Sequence, residues 1–433
     1  MTPQSTFMII ANIAEDRLDP LRALLEAMNR EPGVVDPHNT LFPFGRFDRL
    51  HVARFLILQT LVAEDKVSTL PAAPPRLVFL GDCDGPSDTF IAEMAVLAGP
   101  QLRHIFGHCD AFIGERDSLV NWMQAHNTEP AANYINWRGR TVLQIREETA
   151  LHEALSGELR RIVREIGRDN PRAIRQRLLS FVEREKDAAR LTLTPAAPTP
   201  VDWWMKNLLH KLGVPLLLLL LSPLFLLVSP YLVWRLRQLE RSDPESVDRP
   251  PREYMRRLAA LEDHDVTNPF SAFGEVKPQP FRRHAVRFFL WLLDYAARHV
   301  YNRGYLTRVQ TIHFARWVML DDNRRLLFAS NYDGSLESYM DDFINKVAWG
   351  LNLVFSNGAG YPSTRWLIKD GAEQEQKFKH FLKRRALPTQ VWYKAYPGLT
   401  AFDLARNSRI REGVEVRQES DEEIRQWLAQ IQT

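Results

Sequence analysis

Two stretches of the chain resemble each other and decide the fold. The first reads Leu50-His51-Val52-Ala53-Arg54-Phe55-Leu56-Ile57-Leu58, and the second reads Ile312-His313-Phe314-Ala315-Arg316-Trp317-Val318-Met319-Leu320. Their His, Ala, Arg and final Leu are identical at an offset of 262 positions. A second matching pair, 76–85 and 325–334, follows at an offset of 249. Because order and spacing both survive, we infer an internal duplication, with a loop 13 residues longer in the first copy.

Each copy predicts the same series of strands and helices. Apolar runs of strand length, such as 7–13 and 77–80, alternate with stretches of helical spacing, such as 16–29 and 87–106. The β-prone stretches 133–145 and 390–396 are expected to close the sheet of their own copy. The fold class predicted is therefore α+β, a tandem duplication of a ferredoxin-like βαββαβ unit. Its antiparallel sheets carry helices on one face and pack together through the other.

The predicted domain organisation has five parts. Residues 1–152 form the first ferredoxin-like repeat, and residues 268–433 form the second. Between them lie a helical connector with a Pro-rich linker at 153–200, a membrane-attachment segment at 201–242 and a charged connector at 243–267.

The composition indicates a protein that folds in water within a reducing compartment. The 433 residues are 45% hydrophobic and 25% charged, an ordinary globular mixture. A net charge of +3 is too balanced for a protein whose main task is to neutralise phosphates, so no nucleic acid partner is expected. Cys83 and Cys109 are too few for a disulfide framework, and the N-terminus lacks the basic region of a signal peptide. We therefore expect domains that face the cytoplasm.

The run 212–234 contains no charged residue and is long enough to cross a bilayer as a helix. A buried core helix is the alternative. Basic residues flank both ends, which favours the cytoplasmic side of the inner membrane for both ends. Because Ser222-Pro223 lies near the middle, a shallow hairpin is favoured over a straight crossing, and it would keep both sheets on one side. Membrane lipid is the predicted partner. The sequence also allows a homo-oligomer.

The polar residues kept in the apolar strands are His51 with Arg54, and His313 with Arg316. Side chains alternate along a strand, so we expect each histidine to face the other sheet and each arginine to face the helices. The imidazoles are candidates for a ligand site, and a structural hydrogen bond between the sheets is the alternative.

Three further features carry candidate chemistry. Asp84 and Asp333 each precede a glycine and a predicted helix, which suits a helix cap. His104 and His108, one helical turn apart and close to Cys109, could share a face and bind a metal. The second copy does not repeat this histidine pair, and no carboxylate nearby completes a ligand set.

The duplicated element order resembles the superfamily of dye-decolourising peroxidases and chlorite dismutases, the dimeric α+β barrels. The segment Gly81-Asp82-Cys83-Asp84-Gly85 is similar to the Gly-x-x-Asp-Gly motif of the peroxidase family, whose Asp serves distal haem chemistry. The resemblance implies a haem cofactor bound by His51, Arg54, His313 and Arg316. Either histidine would be the axial ligand, and Asp84 or Asp333 would be the distal acid.

Two functions of different classes follow from these observations. The first is a membrane-attached, peroxidase-like oxidoreductase that acts on a lipophilic substrate in the cavity between the sheets. The second is a non-catalytic, membrane-associated protein that binds lipid or a partner, or acts as a scaffold.

Overall fold

The computed structural model describes residues 1–59, 67–110, 112, 118–246, 248–416 and 420–432. Both predicted repeats and the charged connector include residues outside these ranges. The described strands are β1 (Gln4–Asn12), β2 (Asn29–Glu31), β3 (Val34–Val35), β4 (Leu50–Leu58), β5 (Arg76–Asp84), β6 (Ala132–Ile135), β7 (Thr267–Glu275), β8 (Ile312–Leu320), β9 (Arg325–Asp333), β10 (Thr364–Arg365), β11 (Lys369–Asp370) and β12 (Thr389–Lys394). The described helices are α1 (Leu18–Glu26), α2 (Ser87–Phe106), α3 (Leu119–Ala125), α4 (Val142–Ile166), α5 (Pro171–Asp187), α6 (Val201–Ser242), α7 (Arg252–Ala259), α8 (Pro280–His299), α9 (Leu336–Phe355), α10 (Glu375–Arg385), α11 (Ala401–Glu415) and α12 (Asp421–Gln432).

The protein is α+β, and its described strands form two four-stranded antiparallel sheets. Sheet 1 has the order β1-β5-β4-β12, and sheet 2 has the order β7-β9-β8-β6. The remaining described strands pair as two short ribbons, β2 with β3 and β10 with β11. Strands β4 and β8 coincide with the first pair of similar stretches, and β5 and β9 lie within the second pair.

The fourth strand of each sheet comes from the other half of the chain. In sheet 2, Ala132 of β6 lies opposite Trp317 of β8. In sheet 1, Tyr393 of β12 lies opposite Ala53 of β4. The prediction that each copy closes its own sheet is therefore wrong. An apolar pattern indicates that a strand is buried, but either sheet satisfies that pattern, so only tertiary packing selects the partner.

The two sheets face each other across a buried apolar layer. Side chains from both contribute to one cluster, which includes Met8, Leu56, Leu58, Val78, Leu80, Phe273, Val318, Leu320, Leu327 and Ala329. The opposite face of sheet 1 packs under α1, α2 and α3, and that of sheet 2 packs under α8, α9 and α10. Each sheet is thus buried on both faces.

A separate helical bundle joins the two halves of the chain. Helices α4, α5, α11 and α12 share one buried core. Capping boxes at Thr141 and Thr400 begin α4 and α11, because each threonine bonds the free N–H groups of the first turn. The predicted boundary at residue 152 falls inside α4, which continues to Ile166.

The segment predicted to attach to a membrane forms one continuous helix, α6, of 42 residues. At 1.5 Å per residue it is roughly 63 Å long. Within the described chain, α6 alone is long and apolar enough to cross a membrane. The hairpin predicted at Ser222-Pro223 is wrong, because α6 passes through this dipeptide without a turn.

Candidate functional site

Two histidine–aspartate pairs occupy corresponding ends of the two sheets. His51 Nε2 lies 2.9 Å from Asp84 Oδ1, and His313 Nε2 lies 2.6 Å from Asp333 Oδ1. His51 Nδ1 also lies 3.2 Å from the Tyr396 hydroxyl. Both imidazoles are buried, and each supplies one hydrogen-bond partner of a buried carboxylate.

The second oxygen of each aspartate caps a helix, though not the helix that follows it in the chain. Asp84 Oδ2 accepts the N–H of Val142, the first residue of α4, at 2.9 Å. Asp333 Oδ2 accepts the N–H of Ala401, the first residue of α11, at 2.7 Å. A carboxylate at this position satisfies a free donor and suits the helix dipole. The pairs therefore tie the sheets to the helical bundle.

Both strand arginines project between the sheets and reach across to the opposite one. Arg54 donates to the carbonyls of Phe270 and Ser330, at 2.9 and 2.7 Å. Arg316 donates to the carbonyls of the equivalent pair, Phe7 and Gly81, both at 3.3 Å. Each arginine thus bonds two residues that are paired with each other in the opposite sheet.

The predicted orientation of these side chains is therefore wrong for the arginines. Ala53 and Ala315 lie on the helical faces, while Arg54 and Arg316 lie between the sheets. Both faces of the strands are apolar, so alternation separates the faces without showing which one meets the other sheet. One-residue register shifts at His51 and His313 interrupt the alternation. The His51 ring consequently lies 5.6 Å from Phe314, which packs between the sheets.

The charges between the sheets do not balance. Arg316 forms an ion pair with Asp82, whereas Asn331 stands at the corresponding position of sheet 2 and offers Arg54 no carboxylate. Burial, with the charge of Arg316, lowers the pKa of Arg54 to about 9. Burial raises the pKa of Asp82. The arginine network therefore has a cost in desolvation that its hydrogen bonds must offset.

The cavity beside the two histidines is small. It is lined by His51, His313, Phe314 and Tyr396 among others, and its volume is about 20 Å³. Pockets that hold cofactors or drug-sized ligands are roughly 300–1,000 Å³. Since a carboxylate also occupies Nε2 of each imidazole, the residues present do not fit a haem. The described hydrogen bonds of Arg54 and Arg316 are made with groups of the protein itself.

The predicted metal pair lies at the end of α2. The rings of His104 and His108 are 5.8 Å apart, and His108 Nδ1 lies 3.0 Å from the carbonyl of His104. His108 therefore caps the last turn of the helix. In the described ranges, no group of three or more His, Cys, Asp or Glu side chains is arranged to hold a metal. Cys83 and Cys109 are buried free thiols, and burial raises the pKa of Cys109 to about 12.

The apolar surface of α6 is largely exposed. Most side chains of the run 212–234 face outward, with Leu227 as much as 78% exposed, while Val214 is buried. Contiguous exposed apolar surface of this extent marks contact with a membrane or with another protein.

Three prolines lie within α6. Each carbonyl that loses its backbone N–H partner to one of them accepts a hydrogen bond from a side chain instead. A proline at position i removes the N–H that would bond the carbonyl at i−4. Ser222 donates to Leu219 O at 2.7 Å, the carbonyl freed by Pro223. Ser229 donates to Leu226 O at 2.9 Å, the carbonyl freed by Pro230. The third carbonyl, Lys211 O, is freed by Pro215 and accepts the Tyr295 hydroxyl at 3.0 Å.

Helix α8 contacts α6 on both sides of its apolar run. Before the run, His210 Nδ1 lies 2.8 Å from His299 Nε2. After the run, Asp243, which directly follows α6, pairs with Arg282 at 2.6 Å. Between these contacts the rings of Phe225 and Phe288 are 5.9 Å apart. Helix α8 has its own short apolar stretch, 288–293, with Arg287 before it and Asp294 after it.

The fold and these features define an α+β protein with two facing antiparallel sheets and one long apolar helix. No family model, no curated protein sequence and no solved structure matches the chain.

Sequence reasoning did not single out several residues of these arrangements. Tyr396, Lys394 and Arg140 come close to the strand histidines only through the exchanged strands and the loops that follow them. The hydrogen bonds of the α6 serines could have been predicted from the sequence, because a serine directly before a proline carries a hydroxyl that can bond the freed carbonyl.

Proposed function

We propose that this chain is a membrane-attached, non-catalytic protein with a binding or scaffolding role, and that membrane lipid is its partner. The observation that carries the proposal is α6, whose exposed uncharged run has an internal donor for every carbonyl freed by a proline. In water such carbonyls would bond to solvent. A donor within the protein matters most in hydrocarbon, because a carbonyl without a hydrogen bond there costs roughly several kcal/mol of free energy.

We further propose that α6 lies along the membrane surface, with both ends on the cytoplasmic side of the inner membrane. The contacts of α8 with α6 before and after the apolar run support this orientation, since the apolar stretch of α8 between Arg287 and Asp294 is too short to follow α6 across a bilayer. The buried free thiols agree with a reducing compartment.

Charge favours an anionic lipid surface. Helices α6 and α8 together carry a formal charge of +6, whereas the whole chain carries +3. The rest of the protein is therefore net negative. Basic side chains beside an inserted apolar face are the usual attachment to anionic headgroups.

A non-catalytic role agrees best with the space between the sheets. Apolar side chains and the two arginines fill it, and the adjoining cavity of about 20 Å³ is too small for a lipophilic substrate. The oxidoreductase function stays a prediction from the resemblance, and no described feature favours it over the binding role.

We also propose that the two halves derive from one duplicated ferredoxin-like unit. Three observations support it: the equal strand order of the two sheets, the reciprocal bonds of Arg54 and Arg316, and the helix kinks. Helix α2 is kinked at Ala98 and α9 at Val347, which are 249 positions apart. Only α2 contains a proline near its kink, so local sequence does not account for both.

Fractionation of the full chain tests the membrane proposal. Replacing the exposed Leu219 and Leu226 with Arg is expected to move the protein into the soluble fraction, since Arg costs up to about 2.5–3.5 kcal/mol in an apolar phase. The matched control is the same replacement at Val96 and Leu143, which are exposed outside α6. If the α6 variant stays in salt-washed membranes as firmly as the control, the proposal is wrong.

A further inference from the structure

The short ribbon of β10 and β11 ends in a three-residue loop, Trp366-Leu367-Ile368, which we call the ribbon loop. Arg365 and Lys369 are the last paired residues on either side of it. Trp366 has a φ of 58° and Leu367 a φ of 63°, in the left-handed region that glycine and asparagine favour in tight turns. Bulky side chains adopt this region only with strain. Backbone strain of this kind is concentrated at functional sites, which makes the ribbon loop a candidate for one.

Two of the three side chains of the ribbon loop are exposed. Trp366 is 51% exposed and Ile368 is 44% exposed, whereas Leu367 is buried. Single exposed apolar residues are normal on a protein surface. A strained turn that presents two of them is different, because glycine and asparagine would form the same turn without strain. Lys369, directly after the loop, is exposed as well, so a basic side chain lies beside the apolar ones.

The ribbon loop is fixed against the end of α6. Glu240, near the end of α6, accepts the backbone N–H of Trp366 at 3.1 Å and that of Leu367 at 2.7 Å. It also accepts the hydroxyl of Thr364 at 2.9 Å. The guanidinium of Arg237 lies over the ring of Trp366, 4.8 Å from its centroid. Because Glu240 is buried, these hydrogen bonds are shielded from water and hold the loop in one position relative to α6.

The contact with α6 lies where its apolar run gives way to basic residues. Trp234 ends the run and is exposed, and Arg237 follows three residues later, roughly 4.5 Å further along the helix axis. Tryptophan is enriched at the boundary between hydrocarbon and lipid headgroups, which accommodates both its apolar ring and its N–H donor. The ribbon loop therefore adds exposed apolar side chains to the protein at the end of the run.

We propose that the ribbon loop inserts Trp366 and Ile368 into the headgroup region of the same lipid surface that α6 contacts. This inference rests on the membrane function proposed above, since the loop is held to α6. Lys369 beside the loop is attracted to anionic headgroups. The strain then has a reason, because an unstrained turn of glycine and asparagine would carry no apolar side chain. A second point of contact also fixes the rotation of the protein about the axis of α6.

Fluorescence quenching by labelled lipid tests the insertion. An NBD fluorophore is attached to a single added cysteine in the full chain, in the variants Ile368→Cys, Leu226→Cys in α6 and Val96→Cys in α2, all at exposed positions. Cys83 and Cys109 are buried and contribute little background. The protein is bound to vesicles of phosphatidylcholine and phosphatidylglycerol that carry a nitroxide near the headgroup end of the acyl chains. We expect quenching of the fluorophore in Ile368→Cys and Leu226→Cys, and none in the control Val96→Cys.

The quenching pattern separates this inference from the membrane proposal. Quenching in Leu226→Cys without quenching in Ile368→Cys would overturn the insertion of the ribbon loop and leave attachment through α6 intact. The loop would then face water or another protein. Quenching in neither variant would overturn the membrane proposal itself, and the insertion of the loop with it.

A substitution at Trp366 separates lipid contact from packing. Trp366→Gly removes the ring, and glycine adopts a φ of 58° without strain. We expect this variant to bind the same vesicles several-fold more weakly without a fall in its melting temperature in detergent micelles. The control Phe402→Ser removes an exposed aromatic ring from α11 and should keep the vesicle affinity. A lower melting temperature with unchanged vesicle affinity in Trp366→Gly would mean that the ring only packs on Arg237, and would overturn the proposal.

Discussion

The hydroxyl of Ser222 donates a hydrogen bond of 2.7 Å to the carbonyl oxygen of Leu219, the acceptor that Pro223 leaves free. Ser229, which directly precedes Pro230, donates in the same way to the carbonyl oxygen of Leu226. A Ser-Pro pair in an apolar run therefore does not require a turn. Because the serine replaces the lost backbone donor, the helix continues and the freed carbonyl keeps a hydrogen bond.

Removing these hydroxyls is expected to destabilise the apolar helix. In the double variant Ser222→Ala, Ser229→Ala, two carbonyls lose their donors, at about 0.5–1.5 kcal/mol each. Thermal unfolding in detergent micelles measures the loss. Replacement of both serines with threonine keeps the hydroxyls and serves as the control. Equal melting temperatures of the alanine and threonine variants would show that the serines do not support the helix.

The two ends of α6 are expected to lie on the same side of the membrane. Cysteines placed at Asp202 and Arg241, both exposed, should react with an impermeant maleimide from the same side of sealed inverted vesicles. Cys83 and Cys109 are buried and contribute little background while the protein is folded. Labelling of the two positions from opposite sides would show a crossing helix and would contradict the surface orientation.

The two inter-sheet arginines are expected to differ in their effect on stability. Arg316→Met leaves the Asp82 carboxylate buried without a cation, which costs about 3–5 kcal/mol. Arg54→Met leaves no carboxylate without its ion-pair partner, so it should lower the free energy of unfolding by less. Urea unfolding of the two variants measures the difference.

A second change separates the ion pair from simple packing. Adding Asp82→Asn to Arg316→Met removes the stranded charge and should recover part of the lost stability. No recovery would mean that Arg316 acts through its contacts with the carbonyls of Phe7 and Gly81 instead.

The Asp333 carboxylate is expected to contribute to acid sensitivity. Burial by itself would raise the pKa of Asp333, but His313, the Ala401 N–H and the Thr267 hydroxyl outweigh it and lower the pKa below 3.8. A lowered folded-state pKa contributes stability that is present above the unfolded value and is lost as the pH falls through the folded value.

Melting temperatures between about pH 6 and pH 2 measure this contribution. The unaltered protein should lose stability at the acid end more steeply than Asp333→Asn, which has no proton to take up at this position. Parallel curves of melting temperature against pH for the two proteins would show that Asp333 does not contribute to the acid sensitivity.

Much of the secondary structure was predictable because it depends on local pattern. The matching stretches around His51 and His313 predict β4 and β8, and the run 212–234 predicts an apolar helix. The face on which Arg54 lies was not predictable. Its strand is apolar on both sides, and the register shift at His51 leaves no trace in the sequence.

The sequence by itself determined the repeated strands and the apolar segment, because short-range pattern encodes each of them. That this segment is one continuous, exposed helix came from the tertiary structure. Only the tertiary structure decided which strand closes each sheet and which helices Asp84 and Asp333 cap. These relationships join positions up to hundreds of residues apart. They depend on how two similar halves pack, and several pairings satisfy the same local pattern equally well.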